Sequence, residues 1–201
     1  MLIQFKMVSN FIFKNIAKER LKSLSFFIFF IPLFMNSQYE TQYFDLIKRL
    51  DNGIEIRYYP PSTMIKYTSN SNNGFRYLFN YISGKNSLNQ KISMTTPVHM
   101  EKINDAQSSM EFVLPSKINI DSAPIPTNSN VKLYQSIGQH YAVISYGGYT
   151  SLEKEKQFLG ELKEYLKKNK IDISGNSKVL VYNSPYKFFN RKNEIILPIV
   201  Y

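Results

Sequence analysis

Two neighbouring segments of different periodicity constrain this chain most. In Gly74-Phe75-Arg76-Tyr77-Leu78-Phe79-Asn80-Tyr81-Ile82-Ser83-Gly84, the residues Phe75, Leu78, Phe79 and Ile82 recur at i, i+3, i+4 and i+7, the spacing of one helical face. Shortly afterwards Lys91-Ile92-Ser93-Met94-Thr95-Thr96-Pro97-Val98 switches to a period of two, as a half-buried strand does. An apolar helix face beside an apolar strand face either closes a core or leaves a groove for a flat apolar ligand.

The rest of the chain supplies the partners. Strands are expected at 45–50, 54–59 and 63–68, with Asp51-Asn52-Gly53 turning the first two into a hairpin. Ser71, Asn72 or Asn73 can cap the first helix, and Gly84 can end it. Ile92, Met94, Thr96, Val98 and Met100 should line one face of a strand over 92–100, followed by a strand at 110–115. Residues 116–130, rich in Ser, Asn and Pro, read as a connecting loop. The second half repeats the order: strands at 131–136 and 141–146, a helix opened by the capping box Thr150-x-x-Glu153 and running to about Asn169, then strands at 179–183 and 194–200. Phe158, Leu159, Leu162, Tyr165 and Leu166 form the inner face of that helix. Each half therefore reads strand, strand, helix, strand, strand. The expected class is α+β: a curved antiparallel sheet or distorted β-barrel with both helices outside.

The N-terminus has a different character. Residues 24–34, Leu-Ser-Phe-Phe-Ile-Phe-Phe-Ile-Pro-Leu-Phe, follow a basic stretch and precede a polar boundary, the layout of a secretory signal peptide. The run is shorter than the ~20 residues a spanning helix needs. The expected division is 1–38 as signal peptide or N-terminal anchor, cleaved near Ser37, and 39–201 as the folded domain. The protein is then periplasmic or extracellular, and touches a membrane only through the first segment if that stays uncleaved.

Charge and composition narrow the function. The formal net charge is +10, and from residue 39 onward 20 basic residues face 14 acidic ones. The excess is spread, with no basic run, so nucleic acid is not the expected partner. The absence of cysteine excludes disulfides, thiolate metal sites and Cys nucleophiles. No phosphate loop, nucleophile elbow or His-Glu-x-x-His occurs, and an enzyme is not expected. His99 and His140 are the two histidines and the candidates for a metal or axial ligand, although neither has a second ligand at metal-binding spacing. Aromatic residues reach 15%, which suits an aromatic-lined slot for a small hydrophobic molecule. Arg76, Lys187 and Arg191 can serve as rim cations for acid groups on a planar ring system.

Several segments together resemble the SOUL haem-binding protein family. They are Glu55-Ile56-Arg57-Tyr58-Tyr59-Pro60-Pro61, the 74–84 and 91–98 segments above, Phe112-Val113-Leu114-Pro115-Ser116, Tyr146-Gly147-Gly148 and Arg191-Lys192-Asn193-Glu194-Ile195. The resemblance covers about residues 42–200. It implies two pseudo-symmetric halves, an architecture similar to the effector-binding domains of bacterial multidrug-responsive regulators, and binding of haem or another tetrapyrrole in an open groove against the first helix. On that reading the cofactor-binding residues are Phe75, Arg76, Leu78, Phe79, Ile82, Met94 and Lys187, the last placed near the ring by its position before the Arg-Lys-Asn-Glu motif. Two alternatives stay open. The same groove could hold another lipophilic molecule or cation, which would need an unpaired buried carboxylate such as Glu111. Or the helix face could meet a partner protein.

Overall fold

A computed structural model describes residues 39–70 and 74–201. The expected export segment and the capping residues Ser71, Asn72 and Asn73 lie outside the described residues. The elements are β1 (Glu40–Thr41), β2 (Asp45–Arg49), β3 (Ile54–Tyr59), β4 (Thr63–Ser69), α1 (Gly74–Ile82), β5 (Thr95–Thr96), β6 (Val98–Lys102), β7 (Ser108–Val113), β8 (Val131–Gln135), β9 (Gln139–Gly147), α2 (Leu152–Lys168), β10 (Lys178–Val181) and β11 (Lys192–Pro198).

The Asn-Gly hairpin forms as its sequence demands. Asn52 and Gly53 both take positive φ, 59° and 71°, the left-handed pair of a type I′ turn that matches strand twist. Nine strands then make one curled antiparallel sheet in the order β2-β3-β9-β11-β10-β6-β7-β4-β8. Each half of the chain lends its first strand to the other: β3 pairs with β9, and β8 pairs with β4. The halves meet along β6 and β10, where Leu180 lies opposite His99. Exchanging the halves reproduces the strand order from β3 to β8, so the order-level repeat in the sequence is a structural pseudo-twofold.

Alternation along the strands separates two faces. One face is apolar and carries the helices. Under α2 it presents Ile54, Ile56, Ala142, Ile144, Ile195 and Leu197 to Leu162 and Leu166. Under α1 it presents Ile65, Phe112 and Val131 to Leu78, Tyr81 and Ile82. Each fully buried Leu or Ile contributes about 1.5–3 kcal/mol of transfer free energy, which makes these two clusters the main source of stability. The other face is polar, with Arg57, His99, Glu111 and Glu194 all buried on it.

Several expectations need correction, among them the strands expected over 110–115 and 194–200, which run instead over Ser108–Val113 and Lys192–Pro198. The strand expected over 92–100 is divided at Pro97, which has no N–H for a ladder, into β5 and β6, and β6 continues to Lys102. Ile92 and Met94 precede both strands, yet still pack against the α1 cluster. The N-cap of α2 is Ser151, whose hydroxyl accepts from the Lys154 N–H, while the Thr150 hydroxyl donates to Glu155. One-residue displacement lets both hydroxyls find partners. The strand expected over 179–183 runs instead from Lys178 to Val181.

Candidate ligand-binding site

The two helices leave the middle of the apolar face uncovered. α1 packs on β4 and β7, and α2 on β9 and β11. Between them lies the β6–β10 pair, whose apolar rungs are Val98 opposite Val181 and Met100 opposite Val179. Val98 and Met110 lean on the α1 cluster and Val179 on the α2 cluster. Met100 has no such cover. There a cleft of about 460 Å³ opens, floored by Met100, Met110 and Val179 and walled by Leu152 and Leu159 of α2 and Gly74 of α1. Glu155, Lys156, Glu101 and Lys102 add a charged rim.

Beyond the cleft the apolar side of the β6–β10 pair continues to Val98 and Val181. Phe112, Val98 and Val181 form one row across three strands. Phe75 rests edge-on against Phe112, with ring centroids 5.4 Å apart, and stacks on Phe79 at 5.8 Å. Phe75 and Phe79 are 46% and 48% exposed, whereas Leu78 and Ile82 are buried. The apolar helix face read from the sequence is thus two faces: Leu78 and Ile82 close the core, and Phe75 and Phe79 keep about half of their surface in solvent, Phe75 against the Phe112 end of that row. Met94 is half-buried against the core, and Arg76 is exposed. The loop that follows β10 carries the exposed Lys187 and springs from the Val181 end of the row. Its root lies two strand spacings, about 10 Å, from the Phe112 that supports Phe75.

Arg191 is not a rim cation. It is buried, with its guanidinium 4.2 Å from the Tyr149 ring centroid. Its Nη1 donates to the Ser184 and Lys187 carbonyls, both at 2.7 Å. Tyr149 in turn donates its hydroxyl to the Pro185 carbonyl. An arginine with five fixed donors can satisfy the inward carbonyls of a tight loop, and that is its use here.

The polar face is closed to a large guest. Arg57 Nη1 and Nη2 donate to the two Glu194 oxygens, each at 3.0 Å. Tyr182 and Ser145 donate to Glu194 as well. Glu111 accepts from Lys178 at 2.6 Å and pairs with Lys66 at 3.0 Å. Burial pushes both carboxyls up, but Lys178 and Lys66 at Glu111, and Arg57 at Glu194, hold them below the ordinary range. Neither offers an unpaired charge, so Glu111 lacks the feature a lipophilic-cation site requires. Burial, reinforced by nearby Lys178, lowers the His99 pKa to about 3, so its ring is neutral. Its Nε2–H donates to Gln42 Oε1 at 2.8 Å. Gln42 belongs to the segment after β1, which is held by parallel pairing with β5. The space left beside His99, Gln42 and Met64 is only about 40 Å³.

His99 therefore faces away from the cleft. His140 lies on β9 between the rings of Tyr58 and Tyr201, with β11 separating its strand from β10. Among the described residues no group of three or more His, Cys, Asp or Glu is placed to hold a metal. The soft donors at the cleft are the thioethers of Met100 and Met110. The role of Met110, Val179 and Leu159 in the cleft was not legible from periodicity. Each has an ordinary core pattern, and only the spacing of the helices leaves them open.

Comparison with known proteins follows this geometry. A SOUL heme-binding protein domain is matched over residues 39–198. The chain is 30% identical over 157 residues to Heme-binding protein 2 of Homo sapiens, covering 71% of this chain and 76% of that protein. An uncharacterized conserved protein from Listeria innocua superposes with a TM-score of 0.54 at 13% identity, covering 76% of this chain and 93% of that one. A protein described as a hydrolase from Listeria innocua gives a TM-score of 0.53 at 10% identity, covering 73% and 91%. At such identities these two show a shared fold and nothing of activity. The domain match and the human relative together establish that this chain belongs to the SOUL heme-binding protein family.

Proposed function

We propose that the protein binds haem or a related tetrapyrrole, without catalysis, in the trough over β6 and β10. The observation that carries this reading is the uncovered Met100, paired with Val179, with about 460 Å³ of space beside it, and the half-exposed Phe75 and Phe79 on α1. That volume falls within the roughly 300–1,000 Å³ of small-molecule sites. A planar macrocycle would bury its faces against Met100, Met110, Val179 and Leu159 and set an edge against Phe75 and Phe79. Arg76, Lys187 and Lys156 would meet its carboxylates. Haem would supply an iron that accepts thioether ligands, and Met100 and Met110 are the donors at the cleft. The buried acids and His99 are committed to internal partners on the other face, which supports binding rather than acid–base chemistry.

The test is a Soret titration of the purified full chain with micromolar haem. A saturable shift is expected, diminished by Phe79→Asp and unaffected by His99→Gln. No shift would remove the proposal. We also propose that residues 1–38 direct export and that 39–201 is the mature domain; N-terminal sequencing of the exported protein should begin near Gln38.

A further inference from the structure

The loop between β10 and β11 holds three aromatic side chains in solvent. Tyr186, Phe188 and Phe189 are 84%, 73% and 83% exposed. A slack loop would fold such rings back onto the protein, because burying them is favourable. This loop is not slack. Arg191 ties its carbonyls at Ser184 and Lys187, Tyr149 ties Pro185, and the Asn183 side chain accepts from the Lys192 N–H at 2.7 Å. The backbone is built to keep the rings outside.

The loop and α1 carry basic residues and no acids. Residues 173–193 contain no Asp or Glu, and neither do residues 56–100, which include α1 and the turn after it. Arg76, Lys85, Lys91 and Lys187 are all exposed on these segments, as is Leu88. The strand register brings the root of the loop and the Phe75 side of α1 to the same end of the sheet. Rigidly presented aromatics with Lys187 among them, at the end of the sheet toward which basic α1 also lies, match the interface of an anionic bilayer, where aromatic rings sit at headgroup level and Lys or Arg meets acidic lipids. No helix among the described residues is long and apolar enough to cross a membrane, so the contact is peripheral.

We propose that loop 184–190, aided by the cations of α1, docks this protein on an anionic lipid surface by inserting Tyr186, Phe188 and Phe189 at the interface. This goes beyond the tetrapyrrole reading and does not rest on it. The loop sits at one end of the trough, so docking would turn that end toward the lipid phase.

The chain has no tryptophan, which allows a unique reporter. Phe189→Trp in the full chain replaces a solvent-exposed ring with another and preserves the fold. The emission is recorded on phosphatidylcholine vesicles with and without phosphatidylglycerol, using brominated acyl chains as quencher. A blue shift and quenching are expected on anionic vesicles, with little change on neutral ones. Lys187→Glu in the same background should weaken the response about tenfold. Tryptophan that stays unshifted and unquenched, even where the protein sediments with vesicles through residues 1–38, would overturn the proposal. No haem is present in the vesicle arms, so their failure leaves the tetrapyrrole reading standing or falling on its own titration.

Discussion

Arg57 and Glu194, 137 residues apart, meet through two parallel hydrogen bonds of 3.0 Å, with both side chains almost wholly buried. The pair links β3, from the first half, to β11, from the second, across the intervening β9. Removing Arg57 leaves the buried Glu194 carboxylate in a poorly solvated site with the half-exposed Lys192, 2.9 Å away, as its remaining ion partner. Arg57→Met should therefore cost about 3–5 kcal/mol in urea unfolding, and Arg57→Met with Glu194→Met should recover most of it. Equal losses in the single and double variants would mean that the guanidinium stabilises by packing rather than by charge.

Stability should fall in two stages as the pH drops. The unfolded chain protonates His99 below about 6.5, whereas the folded chain refuses that proton until about 3. Over that window the unfolded state binds more protons, and stability declines as the pH falls, by up to about 1.4 kcal/mol per pH unit. Below the ordinary carboxyl value of 4.5, the depressed Glu111 and Glu194 add a second decline in the same direction. His99→Gln should flatten the first stage and leave the second. Urea midpoints measured from pH 7 to pH 3 decide it; an unchanged profile in the variant would show that His99 is not the group responsible.

The divided face of α1 predicts unequal costs for neighbouring residues. Leu78→Ala should destabilise by about 2–5 kcal/mol because it opens a cavity in the α1 cluster. Phe79→Ala should cost less than about 1 kcal/mol, since half of its ring already meets solvent. Chemical denaturation of the two variants is sufficient, and comparable losses would show that Phe79 is a core residue.

Arg191 is assigned to loop architecture, not to ligand contact. Arg191→Gln should leave the sheet folded but free the carbonyls of Ser184 and Lys187. The Lys187–Phe188 bond should then become a preferred trypsin site while far-ultraviolet dichroism is unchanged. Equal protease resistance in variant and parent would contradict this assignment.

The sequence made the architecture readable because the strand and helix signals are local. Periods of two and 3.6, the Asn52-Gly53 turn and the repeated element order each depend on a few adjacent residues. The lending of β3 and β8 between the halves did not show, because strand pairing leaves no trace in periodicity. The candidate site was partly readable. Phe75 and Phe79 keep about half of their surface in solvent, but Leu78 and Ile82, on the same helical stripe, are core. A stripe fixes which residues share a face and not how far the neighbouring helix reaches across it. Arg191 misled for a similar reason: a cation in a loop looks like a surface charge until the loop closes around it.

The central claim is that a flat ligand lies on the apolar side of the β6–β10 pair and not in the polar hollow behind it. Methyl NMR of the full chain during haem addition tests this most directly, because methionines mark both sides. Met100 and Met110 floor the cleft, and Met64 lies beside His99 on the opposite face. The account predicts that the Met100 and Met110 methyl signals broaden first while Met64 and Ile196 stay sharp. Broadening of Met64 and Ile196 with Met100 unaffected would contradict it.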